Sequence, residues 1–536
     1  MVGLAATNLH NVRIANATTG TNVSQTLLTA LQDPALYDHP VTGFTLMETH
    51  ISWVILTGDF VYKIKKPVNF GFLDYSTLEQ RAHFCAEEVR LNRRLAPDLY
   101  LGVIAIHGSE TAPNLQGDGP VIEYMVKTRQ FRQQDLLGNM QRAGELTPAH
   151  IHSLATRLAG FHQQIERAPL DSIWGQPEQV HAPVAQNFEQ IRPLLSDPSD
   201  LAQLEQLEQW AHTTFQRLIP QLAQRKAEGL IRECHGDIYL DNVTLIDGQV
   251  TLFDCIEFND AFRWIDVMSD VAFMAMDLED RGLSDLSQEF VNTWLEHTGD
   301  YAGLAVLNYY KAHRAMVRAK VALLGLSPDT SEQRRAEIMT RYHGYITLAE
   351  SYTAIPRRFG LLTHGVSGSG KSTLSQQLVS RLGVIRIRSD VERKRLFGSD
   401  RSGRLDAGLY SADLSQQTYT HLARLATRIL AAGYPVVVDA THLQQAQRQQ
   451  IRQAIEDQSA PCLILHCQAS LDTIEIWLNE RQRKGGDPSD ADIHVVRHQL
   501  EQLEPLNEDE LQITLVVDTD KRDSINQLTK QLSARV

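Results

Sequence analysis

Between residues 44 and 66 the chain reads FTLMETHISWVILTGDFVYKIKK, with β-branched and aromatic residues alternating around Thr57-Gly58-Asp59, the pattern of a β-hairpin. Helical spacing over about 76–95 predicts a helix, apolar runs at 101–106 and 121–125 predict further strands, and residues 134–230 carry mostly helical spacing. A small sheet lobe followed by a helical lobe is the expectation. Two short strands, 243–246 and 250–253, flank the Asp247-Gly248 turn, and helical patterns run from about Asp266 to Tyr352. Near Ala354-Ile355-Pro356-Arg357-Arg358 the pattern changes. From Gly360 it alternates strand, Gly-rich loop, helix, strand, helix and strand, as in a parallel α/β sheet. The predicted organisation is an α+β bilobal domain over 1–353 and an α/β domain with a parallel sheet over 354–536.

A length of 536 residues agrees with two or three domains rather than one. No segment approaches the roughly 18 apolar residues of a membrane span. Asn and His interrupt the apolar stretch at the N-terminus, which therefore lacks the continuous core of a secretory signal, and a cytoplasmic location is expected. The five cysteines (Cys85, Cys234, Cys255, Cys462 and Cys467) are odd in number and mostly set in apolar runs, which argues for reduced core residues. Net charge is −14, and from Gly360 onward 21 Lys and Arg stand against 22 Asp and Glu, so nearly all the acidity precedes Gly360. Such a chain is a poor non-specific partner for nucleic acid, although a local basic groove is compatible with it.

Gly365-Val366-Ser367-Gly368-Ser369-Gly370-Lys371-Ser372-Thr373 fits G-x-x-x-x-G-K-[ST], with a strand pattern before it and a helix pattern after it. In such a loop glycines let backbone N–H groups turn toward phosphates, Lys371 reaches the β/γ oxygens and the Ser372 hydroxyl binds Mg²⁺. The apolar run 436–438 ends in Asp439, a second candidate metal ligand, and no Glu follows it to activate water. Transfer to an acceptor is favoured over hydrolysis. Asp390, at the end of the second strand of this part, is placed to orient the acceptor hydroxyl. Arg393-Lys394-Arg395 are either anion-facing or a solvated helix face. Arg481 and Arg483, followed by Gly485-Gly486, suit a lid whose arginines close on the transferring phosphate.

Together with Val438-Asp439-Ala440-Thr441, Arg448 and Asp487-x-Ser489-Asp490-Ala491, these residues resemble the P-loop kinases that include polynucleotide 5′-kinases, gluconate kinase and zeta-type toxins. The resemblance covers roughly 360–510. It implies Asp390 as general base and Arg481 or Arg483 as the lid cation, and it leaves sugar, nucleotide and polynucleotide acceptors open.

The earlier half carries His235-Gly236-Asp237-Ile238-Tyr239-Leu240-Asp241-Asn242, an Asn five residues after an Asp, with Asp254 following two short strands. Kinases use this spacing because the first Asp orients the acceptor hydroxyl while Asn and the later Asp hold Mg²⁺. With Gly in place of Arg, and Asp254-Cys-Ile-Glu257 in place of D-F-G, residues of about 40–340 resemble aminoglycoside phosphotransferases and related small-molecule kinases. The resemblance implies a kinase-like fold, Asp237 as catalytic base, Asn242 and Asp254 as metal ligands, and Lys63 as the phosphate-pairing lysine held by Glu88. Lys65, on the same strand face, is the alternative to Lys63. Asp266 and Asp270 are expected to brace the loop, and His235 to be a packed loop residue. Lys311, Arg314 and Arg318 recur at helical spacing, either facing an anionic substrate or forming a buried ion-paired face.

The whole-chain combination resembles bacterial proteins described as bifunctional, aminoglycoside phosphotransferase-like and ATP-binding. The expected activity is ATP- and Mg²⁺-dependent transfer of the γ-phosphate to a hydroxyl of a small molecule of the sugar or nucleotide class, with no membrane partner. Rival expectations are a nucleotide-sensing regulator with an inactive kinase-like module and a 5′-hydroxyl polynucleotide kinase.

Overall fold

The computed structural model describes residues 25–354, 357–398, 412–484, 491–521 and 524–535. The predicted lid segment Gly485-Gly486 with Asp487, Ser489 and Asp490, the first 24 residues, and Ile355-Pro356 lie outside the described residues. The chain divides into two compact units: residues 1–282 with 306–353, and residues 283–305 with 354–536. The main break thus falls between Thr353 and Ala354, and the segment 283–305 packs as part of the second unit. Sequence spacing predicts its helix but not its allegiance.

The first unit opens with β1 (Thr45–Glu48), β2 (Ser52–Leu56), β3 (Phe60–Lys65), β4 (Tyr100–Ser109), β5 (Ala112–Asn114) and β6 (Val121–Arg129), an antiparallel sheet of order β1-β2-β3-β6-β4-β5. The 44–66 segment is therefore three strands, not a single hairpin. Thr49 makes the extra turn: its Oγ1 accepts from the Ser52 N–H at 2.9 Å and donates to the Ser52 carbonyl at 3.0 Å. The Leu78–Asn92 helix starts at Thr77, which forms a capping box with Gln80, and it lays Cys85 and Val89 against Val54, Val61 and Val126 of the sheet.

The helical lobe adds β7 (Ile231–Glu233), the β8–β9 hairpin (Val243–Ile246, Gln249–Leu252) and β10 (Trp264–Asp266), which pairs with β7. Its long helices include Pro198–Ala227, Val267–Asp280, Leu304–Leu323 and Glu332–Ser351. The second unit holds β11 (Gly360–His364), β12 (Ile385–Arg388), β13 (Val436–Asp439), β14 (Cys462–Gln468) and β15 (Thr514–Asp518), all parallel, in the order β12-β13-β11-β14-β15. β11 is buried along its whole length, as a central strand covered on both faces must be.

The edge strand β12 is closed by the Ser284–Thr298 helix of the segment 283–305. Asn292 accepts from the Arg386 N–H at 2.8 Å and donates to the Val384 carbonyl at 3.3 Å, standing in for a missing neighbour strand. Glu296 pairs with Arg386 at 2.7 Å beneath it. All five cysteines are buried and free, and no helix among the described residues is long and apolar enough to cross a membrane.

Candidate active sites

In the first unit, β3 presents Lys63 and Lys65 to the Leu78–Asn92 helix. Lys63 Nζ lies 3.1 Å from Glu88 Oε1 and 3.2 Å from Asp254 Oδ1. Lys65, fully buried, pairs with the other Glu88 oxygen at 2.6 Å and with Glu257, whose Oε1 also accepts from the Tyr75 hydroxyl at 2.5 Å. Burial opposes ionisation of Glu88, yet the two ammonium groups hold its carboxyl down to about 2. The two lysines thus divide the work: Lys63 reaches Asp254, whereas Lys65 is locked into the interior.

The loop from His235 to Asn242 is fixed from below. Asp270 accepts the N–H groups of His235 and Gly236, both at 2.9 Å. His235 is wholly buried, hydrogen-bonded to the Phe253 carbonyl at 2.9 Å, and pushed down to about 4 by that burial, so it stays neutral. Gly236 has φ +89°, and a Cβ there would sit 2.5 Å from the Phe262 carbonyl oxygen, so the arginine of protein kinases does not fit this loop. The Asn242 amide donates to the Asp237 carbonyl at 3.0 Å and to Oδ2 at 3.1 Å, while Asn242 Oδ1 is buried without a hydrogen-bond partner among the described residues. Asp254 adopts φ +65° and donates its N–H to the Tyr100 hydroxyl at 3.3 Å.

The burial of Asp237 pushes its carboxyl up to about 7, with Arg318 working against that and the Asp254 charge adding to it. Asn242 Oδ1, without a hydrogen-bond partner among the described residues, and the Asp254 carboxylate, whose charge acts on the same Asp237, are hard oxygen donors of the kind Mg²⁺ takes. The fold therefore assembles Lys63, Glu88, Asp237, Asn242 and Asp254, although Lys63 and Asp254 stand 191 positions apart.

In the second unit the loop after β11 curls around Lys371, whose Nζ donates to the Val366 carbonyl at 2.6 Å and whose pKa is lowered by burial. Gly370 has φ +83°, and a Cβ there would lie 2.9 Å from Thr519 Cβ; Thr519 also donates to the Ser369 carbonyl at 2.9 Å. Ser369 Oγ is buried without a partner. Gln499 braces the outer side of the loop, accepting from the Ser367 N–H at 2.7 Å. Asp439 accepts from the Ser375 hydroxyl at 3.0 Å, and Ser372 opens the helix Lys371–Leu382. A recess of about 440 Å³ opens beside the loop, lined among others by Gly365, Ser369, His466, Gln468, Ile474 and Asp518.

The charges of Asp439, Asp390 and Arg481 all act on Lys371, which brings these three predicted residues to one site. Arg481 is partly buried and donates to the Ala491 carbonyl at 2.6 Å, whereas Arg483 is exposed. Two sequence expectations change here. Arg393 and Lys394 are buried and Arg395 pairs with Glu392 and the Glu296 carbonyl, so this turn is no solvated face. Arg448, part of the motif set, is only 1% exposed and clamps Glu510 at 2.7 Å along with the carbonyls of His442, Leu443, Glu504 and Pro505. It is a structural clasp. Thr519, Gln499 and Ser375 carry no signal in the sequence because they lie outside any motif and reach the loop only through folding.

Residues 57–307 match the model of the phosphotransferase enzyme family, and residues 361–506 match that of an AAA domain. The uncharacterized protein Rv2004c of Mycobacterium tuberculosis (strain ATCC 25618 / H37Rv) is 31% identical over 471 residues, covering 85% of this chain and 90% of the relative. The uncharacterized protein Mb2027c of Mycobacterium bovis is similar to the same extent. The chain belongs to this two-domain family. In this chain a phosphotransferase-family domain precedes a P-loop domain. Among solved structures, the amicoumacin kinase hAmiN is similar at 13% identity over 61% of this chain and 94% of its own, with a TM-score of 0.39. A gluconokinase from Sinorhizobium meliloti 1021 is similar at 19% identity over 33% of this chain and 99% of its own, with a TM-score of 0.24.

Proposed function

We propose that this protein is an ATP- and Mg²⁺-dependent phosphotransferase in which both units use ATP and the kinase-like unit passes the γ-phosphate to a small-molecule hydroxyl. The observation that carries this reading is the hydrogen bond from Asn242 to Asp237, with Asn242 Oδ1 left without a partner among the described residues and the Asp254 charge acting on the same Asp237. A decayed kinase has no reason to keep this set.

In the kinase-like unit Asn242 and Asp254 would hold Mg²⁺, which supplies positive charge against the phosphates. Lys63 orients the same phosphates and is itself steered by Glu88. Asp237, poised near neutrality by burial, orients the acceptor hydroxyl and takes its proton. In the P-loop unit the loop amides and Lys371 would hold phosphates, Ser372 and Asp439 the metal, and Asp390 an acceptor.

The test uses the full chain carrying Lys371→Ala, so that nucleotide turnover reports the kinase-like unit. Added Asp254→Ala should abolish Mg²⁺-dependent nucleotide binding. Asp237→Asn should spare that binding and lower transfer by about 10²- to 10⁴-fold, because a base acts on the acceptor rather than on the metal. Identical behaviour of the two variants, or no Mg·ATP binding before they are introduced, would leave the regulatory reading in its place.

A further inference from the structure

The Leu304–Leu323 helix carries Lys311, Arg314 and Arg318 toward the interior of the first unit, and their fates differ. Lys311 pairs with Glu279 at 2.7 Å and is spoken for. Nearby arginines are likewise matched to carboxylates: Arg225 to Asp266 at 2.6 Å, and Arg281 to Asp241 at 2.9 Å and Asp277 at 3.0 Å. Arg314 and Arg318 are not. Arg314, 9% exposed, donates to the Ser269 hydroxyl at 3.0 Å and lies over the Phe273 ring at 4.9 Å, while its Nε is buried with no hydrogen-bond partner among the described residues. Among the described residues, Arg318 hydrogen-bonds to the Tyr345 hydroxyl, at 3.4 Å, and lies over the Tyr239 ring at 5.1 Å.

Tyr239 and Phe273 stack on each other at 5.9 Å, so the two guanidinium groups rest side by side on one aromatic platform. Tyr239 is two positions beyond Asp237, and Arg318 is the strongest positive charge acting on that carboxylate, with Arg314 also contributing. Asp280 also feels Arg318, but no ion pair joins them. A guanidinium stays charged at any working pH and presents a fork of donors that matches carboxylate or phosphate oxygens. Arg314 is buried and Arg318 partly buried, and among the described residues neither forms an ion pair, although the charges of Asp270 and Asp237 act on Arg314 and that of Asp277 on Arg318. Beside the acceptor base, two such groups attract an anion and repel a cation.

Resting on the phosphotransfer reading of this unit, we propose that its acceptor is an anionic small molecule whose carboxylate or phosphate is gripped by Arg318 and Arg314 while its hydroxyl lies at Asp237. In the transfer the acceptor oxygen bonds to the γ-phosphorus, the bond from that phosphorus to the bridging oxygen breaks, ADP leaves, and the hydroxyl proton passes to Asp237. The platform then excludes cationic acceptors such as aminoglycosides.

The experiment takes the full chain with Lys371→Ala, labelled Mg·ATP, and acceptor panels built as matched pairs: hydroxy-carboxylates against the neutral polyols (glycerate against glycerol), sugar phosphates against free sugars (glucose 6-phosphate against glucose), and a cationic aminoglycoside. The acid member of a pair should be used preferentially, and which pair responds distinguishes carboxylate from phosphate. Arg318→Gln should lower kcat/KM for that acceptor by about 10- to 100-fold, mainly through its KM, with the KM for ATP unmoved; Arg318→Lys should restore part of the loss. Preference for neutral or cationic acceptors overturns the inference while leaving phosphotransfer standing. So does a raised KM for ATP with an unchanged acceptor KM, since the arginines would then serve the nucleotide. If nothing is labelled although Mg·ATP binds, the phosphotransfer reading fails and the inference falls with it.

Discussion

The two units assemble their candidate phosphate-binding groups by opposite means. In the P-loop unit the groups lie within positions 365–373, and the loop's conformation, with Gly370 at φ +83° under Thr519, sets where the amides sit. In the kinase-like unit the groups are side chains drawn from β3, the Leu78–Asn92 helix and two loops, and they meet only because of buried ion pairs. The first arrangement depends on the backbone and tolerates change in the surrounding side chains. The second depends on a chain of charges, each of which is costly if its partner is lost.

The sharpest way to break that comparison is to remove one lysine at a time. Lys65→Met leaves Glu257 buried with only Tyr75 and should destabilise the first unit by about 3–5 kcal/mol, read by chemical denaturation. Lys63→Met, which removes the group joining Glu88 to Asp254, should lower transfer more than stability. If the two variants behave alike, the division between a structural and a functional lysine is wrong.

A smaller effect is expected in the P-loop unit. Gly370→Ala places a Cβ against Thr519 in a backbone region that side chains avoid, costing about 1–3 kcal/mol, and nucleotide binding by this unit should fall with it. Unchanged affinity in that variant would mean that the loop relaxes without loss of its phosphate-binding shape.

The smallest effect is a titration. With Asp237 pushed up to about 7, its basic form is scarce at pH 6 and dominant at pH 8, so kcat/KM of the kinase-like unit should rise about tenfold per pH unit below 7 and level off above it. Arg318→Gln removes a charge that favours the ionised form and should move the inflection to higher pH. A profile that is flat between pH 5 and 8 would take Asp237 out of the role of base.

Much of both sites was legible in the chain because each motif ties chemistry to spacing. The P-loop was readable from nine adjacent positions, and Asp237 and Asn242 from their five-residue separation. The choice between Lys63 and Lys65 was not, since both alternate to the same face of β3 and only the placement of Asp254 and Glu257 separates them. For Arg393 and Lys394 the sequence left an anion-facing turn and a solvated face both open, since a run of charges is usually solvated; here the surrounding elements bury them.

Local pattern by itself determined the two domain types, many of the strands and helices, and the Gly-rich loop with its flanking strand and helix, because these follow from periodicity and from backbone requirements that neighbouring residues express. Tertiary structure alone decided that residues 283–305 belong with the P-loop sheet, that Arg448 is a clasp, and that among the described residues Lys311 forms an ion pair while Arg314 and Arg318 do not. Pairing, burial and the edge of a sheet depend on which distant segments arrive at the same place, and charge carries no mark in the sequence of the partner it will meet.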